Sequence, residues 1–516
     1  MRKFLSKLSR IIFSRALIIV LIVLLQIATV VWGNIVLASK FEFLQLGFYV
    51  AGGIVLISII NKDEPAEFKL TWALLIVVLP IVGILLYLFN KSNWGMVRLK
   101  HKVDEELLVS RHLIRNSEAT DEALITMDPD FQRFSHYMND KCGYPTYHNT
   151  KVTYYSIGED EIEAIKEELL KAKKFIFIEF FVIAEGRIWS EVLEILKKKV
   201  EEGVEVRVMY DGLCSLFKLP YRYPKKLKAM GINAKMFAPV IPFFSTVQNN
   251  RDHRKILVID GHIAFTGGVN LADEYANVIT KFGHWKDIGV KIEGRAVMTM
   301  TRLFIQNWNL YGEQEFDYEK YLKDEDIIEK FESDGFVIPY GDNPTSKYET
   351  GKDVYEDIIN QATDYIHIMT PYFIVDREFL SAIKYASYKG LDVKIIIPHI
   401  PDKKIPFFVA RTFYKDLLEA GVEIYEYAPG FVHAKGMIAD GKTAAIGSVN
   451  LDYRSFYHHF ENGVYLYQNS AIANMESDFE FTLTKCIRVT PEYYKKDIPR
   501  HQKMIGRTIR LFAPLL

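Results

Sequence analysis

The chain has 516 residues and a formal net charge of −1, with 64 lysines and arginines against 65 aspartates and glutamates. This length exceeds one ordinary hydrophobic core, so two or more domains are expected. The balanced charge gives no support to a nucleic-acid partner, which favours a basic surface. The three cysteines are odd in number, far apart and without metal-ligand spacing, which argues against a disulfide framework or a zinc site and fits a reducing compartment.

Three apolar runs fill most of the first ninety residues, from Ala16 to Ala38, from Phe43 to Ile60 and from Leu70 to Phe89. A helix needs roughly 20 apolar residues to cross a bilayer core of about 30 Å, so the first and third runs are long enough and the second is marginal. The first run is too long for the apolar part of a signal peptide. The sequence therefore predicts membrane-anchoring helices over residues 1–95 and a multi-pass protein of the cell membrane.

Basic residues precede the first run and follow the third, and both groups favour the cytoplasmic side. Three complete crossings would put these flanks on opposite sides, so either one run does not cross or one flank is overruled. One alternative is that the second run, which contains Gly47, Gly52 and Gly53, pairs with its neighbour as a re-entrant hairpin. The number of crossings stays open, and the catalytic domains are expected to face the cytoplasm. The two groups are Arg2, Lys3, Lys7, Arg10 and Arg15, and Lys91, Arg98, Lys100 and Lys102.

After a polar, helix-prone lead-in over residues 96–150, the sequence is typical of a soluble α/β protein. A strand, a helix and a strand are predicted in that order, and the same order returns later in the chain. The first set runs from Phe175 to Ile183, from Trp189 to Val204 and from Val204 to Tyr210, and the second from Tyr365 to Ile374, from Phe379 to Gly390 and from Val393 to Ile397.

The two sets belong to an internal duplication. Between His253 and Leu271, and between His433 and Leu451, nine of nineteen aligned positions are identical. A solenoid would need more and shorter repeats, so we predict two tandem domains over residues 151–335 and 336–516. The second ends in a basic amphipathic segment, which either lies on an anionic membrane surface or docks on the protein's own core.

Each copy carries one short motif, in which lysine follows histidine by two residues, aspartate follows lysine by five and asparagine follows aspartate by ten. Residues i and i+2 of a strand point the same way, so each histidine and lysine should face one pocket, whereas the aspartates should brace the next turn. One such motif arises by chance in a long chain, but two aligned copies do not, so both motifs are predicted to be catalytic. Their residues are His253, Lys255, Asp260 and Asn270, and His433, Lys435, Asp440 and Asn450.

These side chains suit attack on a phosphodiester. A neutral imidazole avoids the repulsion that an anionic nucleophile meets, and it can form a phosphohistidine. Two lysines neutralise charge on the equatorial oxygens, and the second imidazole protonates the leaving alkoxide and then deprotonates the incoming hydroxyl. One histidine must start neutral and the other protonated, so a bell-shaped pH profile is expected. The scheme uses no cofactor and no metal.

The duplicated motif resembles the H-x-K-x4-D signature of the phospholipase D superfamily, over roughly residues 150 to 490. The resemblance implies two tandem α/β domains, each a mixed sheet flanked by helices and related by a pseudo-twofold axis, behind an N-terminal helical membrane segment. It also implies one active site shared by both motifs. His253 is then the nucleophile and His433 the general acid and base, although the reverse assignment uses the same residues.

The resemblance implies further site residues. The family pairs each histidine with a downstream acid that fixes its tautomer, and Asp287 and Glu461 occupy matching places here. Gly268 stands where the general motif has serine, so one hydroxyl contact with phosphate is expected to be missing from the first half. The expected phosphate-binding residues are Gly268, Asn270, Ser448 and Asn450.

A narrower resemblance is to bacterial cardiolipin synthases, carried by the segments Phe265 to Tyr275, Asn450 to Ser455, Thr370 to Phe373 and Trp72 to Phe89. It implies a phosphatidyltransferase in which one phosphatidylglycerol gives a phosphatidyl-histidine and glycerol, and a second then attacks to give cardiolipin. The implied partners are phosphatidylglycerol, cardiolipin and membrane lipids, without nucleic acid. A phospholipase D hydrolase or headgroup-exchange enzyme would use the same residues, and a nucleic-acid phosphodiesterase is a more distant alternative.

Overall fold

The N-terminal helices differ from the three predicted membrane runs. The first run lies outside the described residues, apart from positions 28 and 32, and the second forms helix α1 (Glu42–Ile60). The third was predicted to be one long helix, but the chain forms α2 (Ala66–Val78) and α3 (Pro80–Lys91) instead. The computed structural model describes residues 28, 32, 42–91, 94–214, 218–220, 222–239, 249–311, 317–322, 331 and 334–515.

The break in the third run has a local cause. Pro80 has no backbone N–H for helix continuation and instead starts the next helix, which is a position that proline favours. The two helices then pack so closely that a Cβ atom added to Gly83 would lie 2.7 Å from the Cα atom of Ile76. Among the residues that the structure describes, we find no helix with both the length and the apolar character that a membrane crossing needs.

The lead-in over residues 96–150 is a packed part of the fold rather than a linker. It contains α4 (Trp94–Arg111), α5 (Glu118–Ile125), α6 (Pro129–Tyr137) and a π-helical turn (Met138–Cys142). The ring of Phe131 stacks on Tyr467 with a centroid separation of 3.8 Å, and the hydroxyl of Tyr147 lies 2.7 Å from that of Thr299. This region therefore contacts both halves of the chain.

The first half builds a seven-stranded mixed sheet in the order β1-β8-β6-β5-β2-β3-β4. Strands β2, β3 and β4 are parallel, and the other pairs are antiparallel. Its elements are β1 (Thr150–Tyr155), α7 (Gly158–Lys171), β2 (Phe175–Phe180), α8 (Arg187–Glu201), β3 (Glu205–Asp211), α9 (Tyr223–Lys228), β4 (Asn233–Phe237), β5 (Lys255–Ile259), β6 (Ile263–Gly267), β7 (His284–Lys286), β8 (Gly289–Gly294), α10 (Val297–Leu310) and α11 (Tyr318–Tyr321), with a 3-10 turn at Asp273–Ala276.

The second half repeats this order as β9-β18-β16-β15-β10-β12-β13 and adds β19 at the far edge. The elements are β9 (Phe336–Asp342), α12 (Thr350–Gln361), β10 (Tyr365–Met369), β11 (Phe373–Ile374), α13 (Arg377–Tyr388), β12 (Asp392–Pro398), α14 (Lys404–Ala410), α15 (Tyr414–Glu419), β13 (Glu423–Tyr427), β14 (Gly430–Val432), β15 (Gly436–Ala439), β16 (Thr443–Gly447), β17 (Leu451–Asp452), α16 (Tyr453–Tyr457), β18 (Glu461–Tyr467), α17 (Ala471–Leu483), β19 (Cys486–Val489), α18 (Pro491–Lys496) and α19 (Arg500–Arg510), with a 3-10 turn at Ala513–Leu515. The predicted mixed α/β fold is confirmed.

The strand predicted from Tyr365 to Ile374 is divided into β10 and β11, with Pro371 in the gap. Proline cannot donate to a strand ladder, so a break at this position is expected physically. The C-terminal helix α19 docks on α14, and the turn after it reaches α2, where the hydroxyl of Thr71 donates to the carbonyl of Leu511 at 3.1 Å. The segment thus docks on the rest of the protein, which is one of the two positions considered for it. In this position Met504 is still 67% exposed.

Backbone hydrogen bonds join the two halves directly. Strand β7 of the first half pairs in parallel with β14 of the second. The amide of His253 donates to the carbonyl of Phe460 at 2.9 Å, and the amide of His433 donates to the carbonyl of Lys286 at 2.7 Å. The two motif segments are therefore anchored to the opposite half at equivalent points.

Asp260 and Asp440 stand at the turns that follow the motif strands, both with a left-handed backbone (φ 53° and 56°). The Asp260 carboxylate accepts hydrogen bonds from the amides of Lys173, Lys174 and Phe175 at 2.7, 2.7 and 2.8 Å. The Asp440 carboxylate accepts the equivalent three bonds from the start of β10. Each aspartate thus fastens its motif hairpin to the neighbouring strand.

Replacing Asp260 by alanine should lower the free energy of unfolding by about 2–4 kcal/mol, because three amides lose a charged acceptor. Chemical denaturation of the full chain in detergent measures this change. Glu122→Ala, on the exposed face of α5, is the control and should change it by less than about 0.5 kcal/mol. An Asp260→Ala protein that is as stable as the wild type but inactive would contradict a bracing role.

Candidate active site

His253 lies between the two sheets and is held by an acid from the other half. Its Nδ1 atom is 3.0 Å from both carboxylate oxygens of Glu461, which begins β18. The hydroxyls of Ser448 and Ser455 also donate to this carboxylate, Ser455 at 2.7 Å. The carboxylate is fully buried, and these contacts fix the imidazole so that Nε2 is the ring nitrogen left for chemistry.

His433 is held in the same way by an acid from the first half. Its Nδ1 atom lies 2.7 Å from Oδ2 of Asp287. The indole N–H of Trp285 donates to the same oxygen at 3.4 Å, and the amide of Ile288 donates to the other oxygen at 3.0 Å. Asp287 is fully buried, so this carboxylate also serves to orient one imidazole.

The serine of the second motif and the glycine of the first make different contacts with these acids. A Cβ atom added to Gly268 would lie 1.9 Å from Oδ1 of Asp287, so no serine fits there without moving the acid. Ser448 in the second half uses its hydroxyl on Glu461. The Ser448 hydroxyl, which was expected to contact phosphate, therefore donates to Glu461, the acid that holds His253.

The two motif lysines are completely buried beside their histidines. Lys255 donates to the carbonyl of His253 at 2.5 Å, and Lys435 donates to the carbonyl of His433 and lies 2.8 Å from its Nδ1 atom. Burial lowers the pKa of Lys255 to about 8 and that of Lys435 to about 7. Two ammonium groups lacking full compensation in a buried site favour an anionic ligand.

Burial also lowers the pKa of both histidines. The pKa of His253 falls well below its ordinary value, and that of His433 falls to about 4, against the opposing pull of Glu461 and Asp287. Burial alone would raise the pKa of Asp287 and of Glu461, but the histidine next to each carboxylate lowers it below the ordinary value. The two-histidine scheme expects one protonated imidazole, whereas burial favours the neutral form of both.

The motif asparagines are placed differently from one another. Asn270 is buried and accepts a hydrogen bond from the amide of Val182 at 2.9 Å, while its side-chain amide nitrogen has no hydrogen-bond partner among the described residues. Asn450 lines the cavity that contains both histidines, and its side-chain oxygen likewise lacks a partner within the described part of the chain. Gly268 donates its amide to the carbonyl of Ile288.

Both histidines open into one cavity of about 720 Å³, which is within the usual range for small-molecule sites. Its walls combine aromatic residues with cations that the motif analysis did not single out. The aromatic residues are Phe181, Tyr275, Trp285, Tyr372 and Tyr453, and the added polar residues are Arg251, Asp402, Lys403, Lys404, Asp452, Arg454 and His459. No spacing rule in the sequence separates these cations from ordinary surface charges.

One cluster in this site has the atoms to hold a metal ion. Ligand atoms of His253, His459 and Glu461 lie within 4.8 Å of one another, and all three residues are buried. A divalent cation there would compete with His253 for the carboxylate that orients it. The residue types fit a cation, but the same atoms already serve the histidine pairing.

Comparison with known proteins places this site in a family. The model of the cardiolipin synthase PLD-like domain matches residues 165–308 and 355–482, and the model of the phospholipase D-nuclease N-terminal domain matches residues 53–89. A phosphatidylserine synthase from Haemophilus influenzae has the same fold, with a TM-score of 0.57, 16% identity, and coverage of 74% of this chain and 100% of that one.

Bacterial relatives match nearly the whole chain. An uncharacterized protein of Streptococcus mutans is 45% identical over 458 residues, covering 89% of this chain and 98% of its own. A cardiolipin synthase of Halalkalibacterium halodurans is 34% identical over 471 residues (90% and 91%), and one of Geobacillus thermodenitrificans is 33% identical over 506 residues (97% and 98%). The chain therefore belongs to the bacterial cardiolipin synthase family of the phospholipase D superfamily, and it is an enzyme of the phosphatidyl-transferring kind.

Proposed function

We propose that this enzyme transfers a phosphatidyl group from one phosphatidylglycerol to another through a phosphohistidine, giving cardiolipin and glycerol. One observation carries the proposal. Two imidazoles, each oriented by a buried acid of the other half, face the same cavity beside two buried lysines. This arrangement offers one nucleophile, one proton carrier and two cations to a single phosphodiester.

In the first step the donor's phosphorus atom is attacked by Nε2 of His253. The new P–N bond forms as the P–O bond to glycerol breaks, and the imidazolium of His433 gives its proton to the departing oxygen. His253 suits the nucleophilic role because burial holds its pKa low and keeps the ring neutral. Burial keeps the His433 ring neutral, so the anionic lipid must raise its pKa, and the ring then takes up a proton from solvent before the bond to glycerol breaks.

In the second step the primary hydroxyl of the second phosphatidylglycerol attacks the phosphorus atom. His433 takes the hydroxyl proton, the new P–O bond forms, and the P–N bond to His253 breaks. The chemistry exchanges one phosphodiester for another, so it needs no nucleotide. Lys255 and Lys435 balance the charge on the phosphoryl oxygens in both steps, and the aromatic walls of the cavity limit the access of water.

The substrates also suggest where the protein works. Both lipids reside in a bilayer, and the sequence has apolar runs over its first ninety residues. We infer a multi-pass protein of the cell membrane whose catalytic domains face the cytoplasm, as the basic residues after Phe89 favour. Residues 151–335 and 336–516 are proposed as its two catalytic domains.

A product assay on the purified full chain tests this function, with phosphatidylglycerol as the lipid supplied. Cardiolipin and one equivalent of glycerol are expected. Phosphatidic acid with glycerol would show instead that water is the acceptor and that the enzyme is a membrane phospholipase D. Strongly salt-dependent cleavage of DNA without a lipid product would favour the nucleic-acid phosphodiesterase.

Replacing either motif histidine by alanine should reduce cardiolipin formation by about three orders of magnitude or more, because nucleophile and proton carrier act as one unit. The rate of glycerol release measures this loss. His262→Ala is the matched control, since His262 lies in the turn after β5 and outside the cavity, and it should keep its activity. Retained turnover in His253→Ala or His433→Ala would contradict a shared site.

Glu461→Gln should slow turnover by about two to four orders of magnitude while the protein stays folded, because the amide no longer stabilises the charge or tautomer of His253. Rate and melting temperature are measured on the same preparation. Asp357→Gln, a partly buried acid on α12 outside the cavity, controls for loss of a carboxylate. A variant with an unchanged rate would show that Glu461 does not orient the nucleophile.

The buried lysines predict how the rate changes with pH. As pH rises through about 7 for Lys435 and about 8 for Lys255, the ligand-free site loses positive charge, so kcat/KM should fall on the alkaline side. Bound lipid phosphate raises both pKa values, so the fall in kcat should come at higher pH. Initial rates over a range of lipid concentration at each pH separate the two, and a kcat/KM that is constant from about pH 6 to about pH 9 would contradict this.

A further inference from the structure

Arg454 contributes a cation to the catalytic cavity that the chemistry at the two histidines does not use. It lies on α16, half-buried, and its side chain lines the same cavity as His253 and His433. Within the described ranges its guanidinium group makes no hydrogen bond and no ion pair. The nearby acid, Asp452, interacts with Arg454 through charge alone, and its carboxylate accepts a hydrogen bond from the amide of Ser455 at 2.9 Å.

A second arginine in the same cavity shows the usual arrangement. Arg251 is buried and donates to the Asp211 carboxylate with its Nε atom at 3.0 Å and its Nη2 atom at 2.6 Å. It also donates to the carbonyl of Ala238 at 2.9 Å. A buried or half-buried guanidinium is normally satisfied in this way, because desolvating an unpaired charge is unfavourable. The unpaired state of Arg454 therefore points to an anionic ligand.

The position of Arg454 is fixed relative to the reacting groups. The amides of His458 and His459 donate to the carbonyl of Arg454 at 2.9 and 2.8 Å. The same short segment then continues into Glu461, which holds the nucleophile. The backbone of Arg454 is thus tied to the segment that carries Glu461, and Lys403 and Lys404 add two further cations to the cavity wall.

We infer that Arg454 binds the phosphate of the acceptor lipid, so that the cavity has two anion sites, one for each phosphatidylglycerol. The inference rests on the proposed function. The two motif lysines serve the phosphate that reacts, and a second phosphodiester needs its own donor. A guanidinium can hold two phosphate oxygens at once. This contact directs the acceptor's free hydroxyl to the phosphohistidine and makes an anionic lipid a better acceptor than a neutral alcohol or water.

The test compares two acceptors for the same phosphatidyl-enzyme in the full-length protein. Cardiolipin formation uses an acceptor with a phosphate, whereas exchange of labelled glycerol into phosphatidylglycerol uses one without. In Arg454→Gln the ratio of cardiolipin formation to glycerol exchange should fall about tenfold or more, as the loss of a charged hydrogen bond predicts. Arg454→Lys keeps the charge but loses the contact with two oxygens, so its ratio should lie between those of the wild type and the glutamine variant.

Arg187→Gln is the control, since Arg187 is exposed on α8 and pairs with Glu191 on the same helix. Its ratio should equal that of the wild type. An unchanged ratio in Arg454→Gln, an equal loss of both reactions, or a lysine variant as low as the glutamine variant would each overturn the inference. If Arg454→Gln does not fold, Arg454→Lys and Lys403→Gln carry the test, and a lowered ratio is expected in both. A wild-type enzyme that makes phosphatidic acid and no cardiolipin would instead overturn the proposed function.

Discussion

The active site depends on a reciprocal exchange between the two halves of the chain. Each motif histidine donates its amide to the carbonyl just before the acid of the opposite half, and its ring nitrogen contacts that acid. One backbone bond and one side-chain contact therefore set the position of each imidazole. Neither half has a complete histidine and acid pair by itself, so the catalytic arrangement exists only when both sheets are packed together.

The exchange also explains why the two copies differ at one motif position. Glu461 has the longer side chain and is surrounded by the hydroxyls of Ser448 and Ser455, whereas Asp287 lies so close to the motif backbone that only glycine fits at residue 268. A buried carboxylate needs donors on several sides. The first half supplies them from Trp285 and a backbone amide instead of serine. A pseudo-symmetric duplication has thus produced two differently supported imidazoles.

Local patterns in the sequence were enough to predict a strand, a helix and a strand in each half and to find the duplicated motifs, but not to predict which acid pairs with which histidine. The order of strand, helix and strand follows from hydrophobic periodicity, and the motif spacing identifies His253 and His433 as candidate catalytic residues. Asp287 and Glu461 occupy matching places downstream, which suggests pairing within each half. In the structure each acid instead contacts the histidine of the opposite half, because the packing of the two halves brings together residues that are far apart in the sequence. Pro80 could have signalled the break between α2 and α3. Arg454 lies in the segment from Asn450 to Ser455 that carries the narrower resemblance, but its unpaired guanidinium becomes visible only after its neighbours are placed.

The distribution of charge in the cavity bears on why transfer can compete with hydrolysis. Water is small and abundant, so shape alone cannot exclude it while a second lipid must enter. A separate anion site favours the lipid acceptor by binding energy, since it raises the local concentration of one hydroxyl beside the phosphohistidine. The neutral His433 left after the first step would deprotonate water as readily as a lipid hydroxyl, so the base does not discriminate between acceptors and the binding of the acceptor must do so. Selection among acceptors then arises from electrostatics as much as from closure of the cavity.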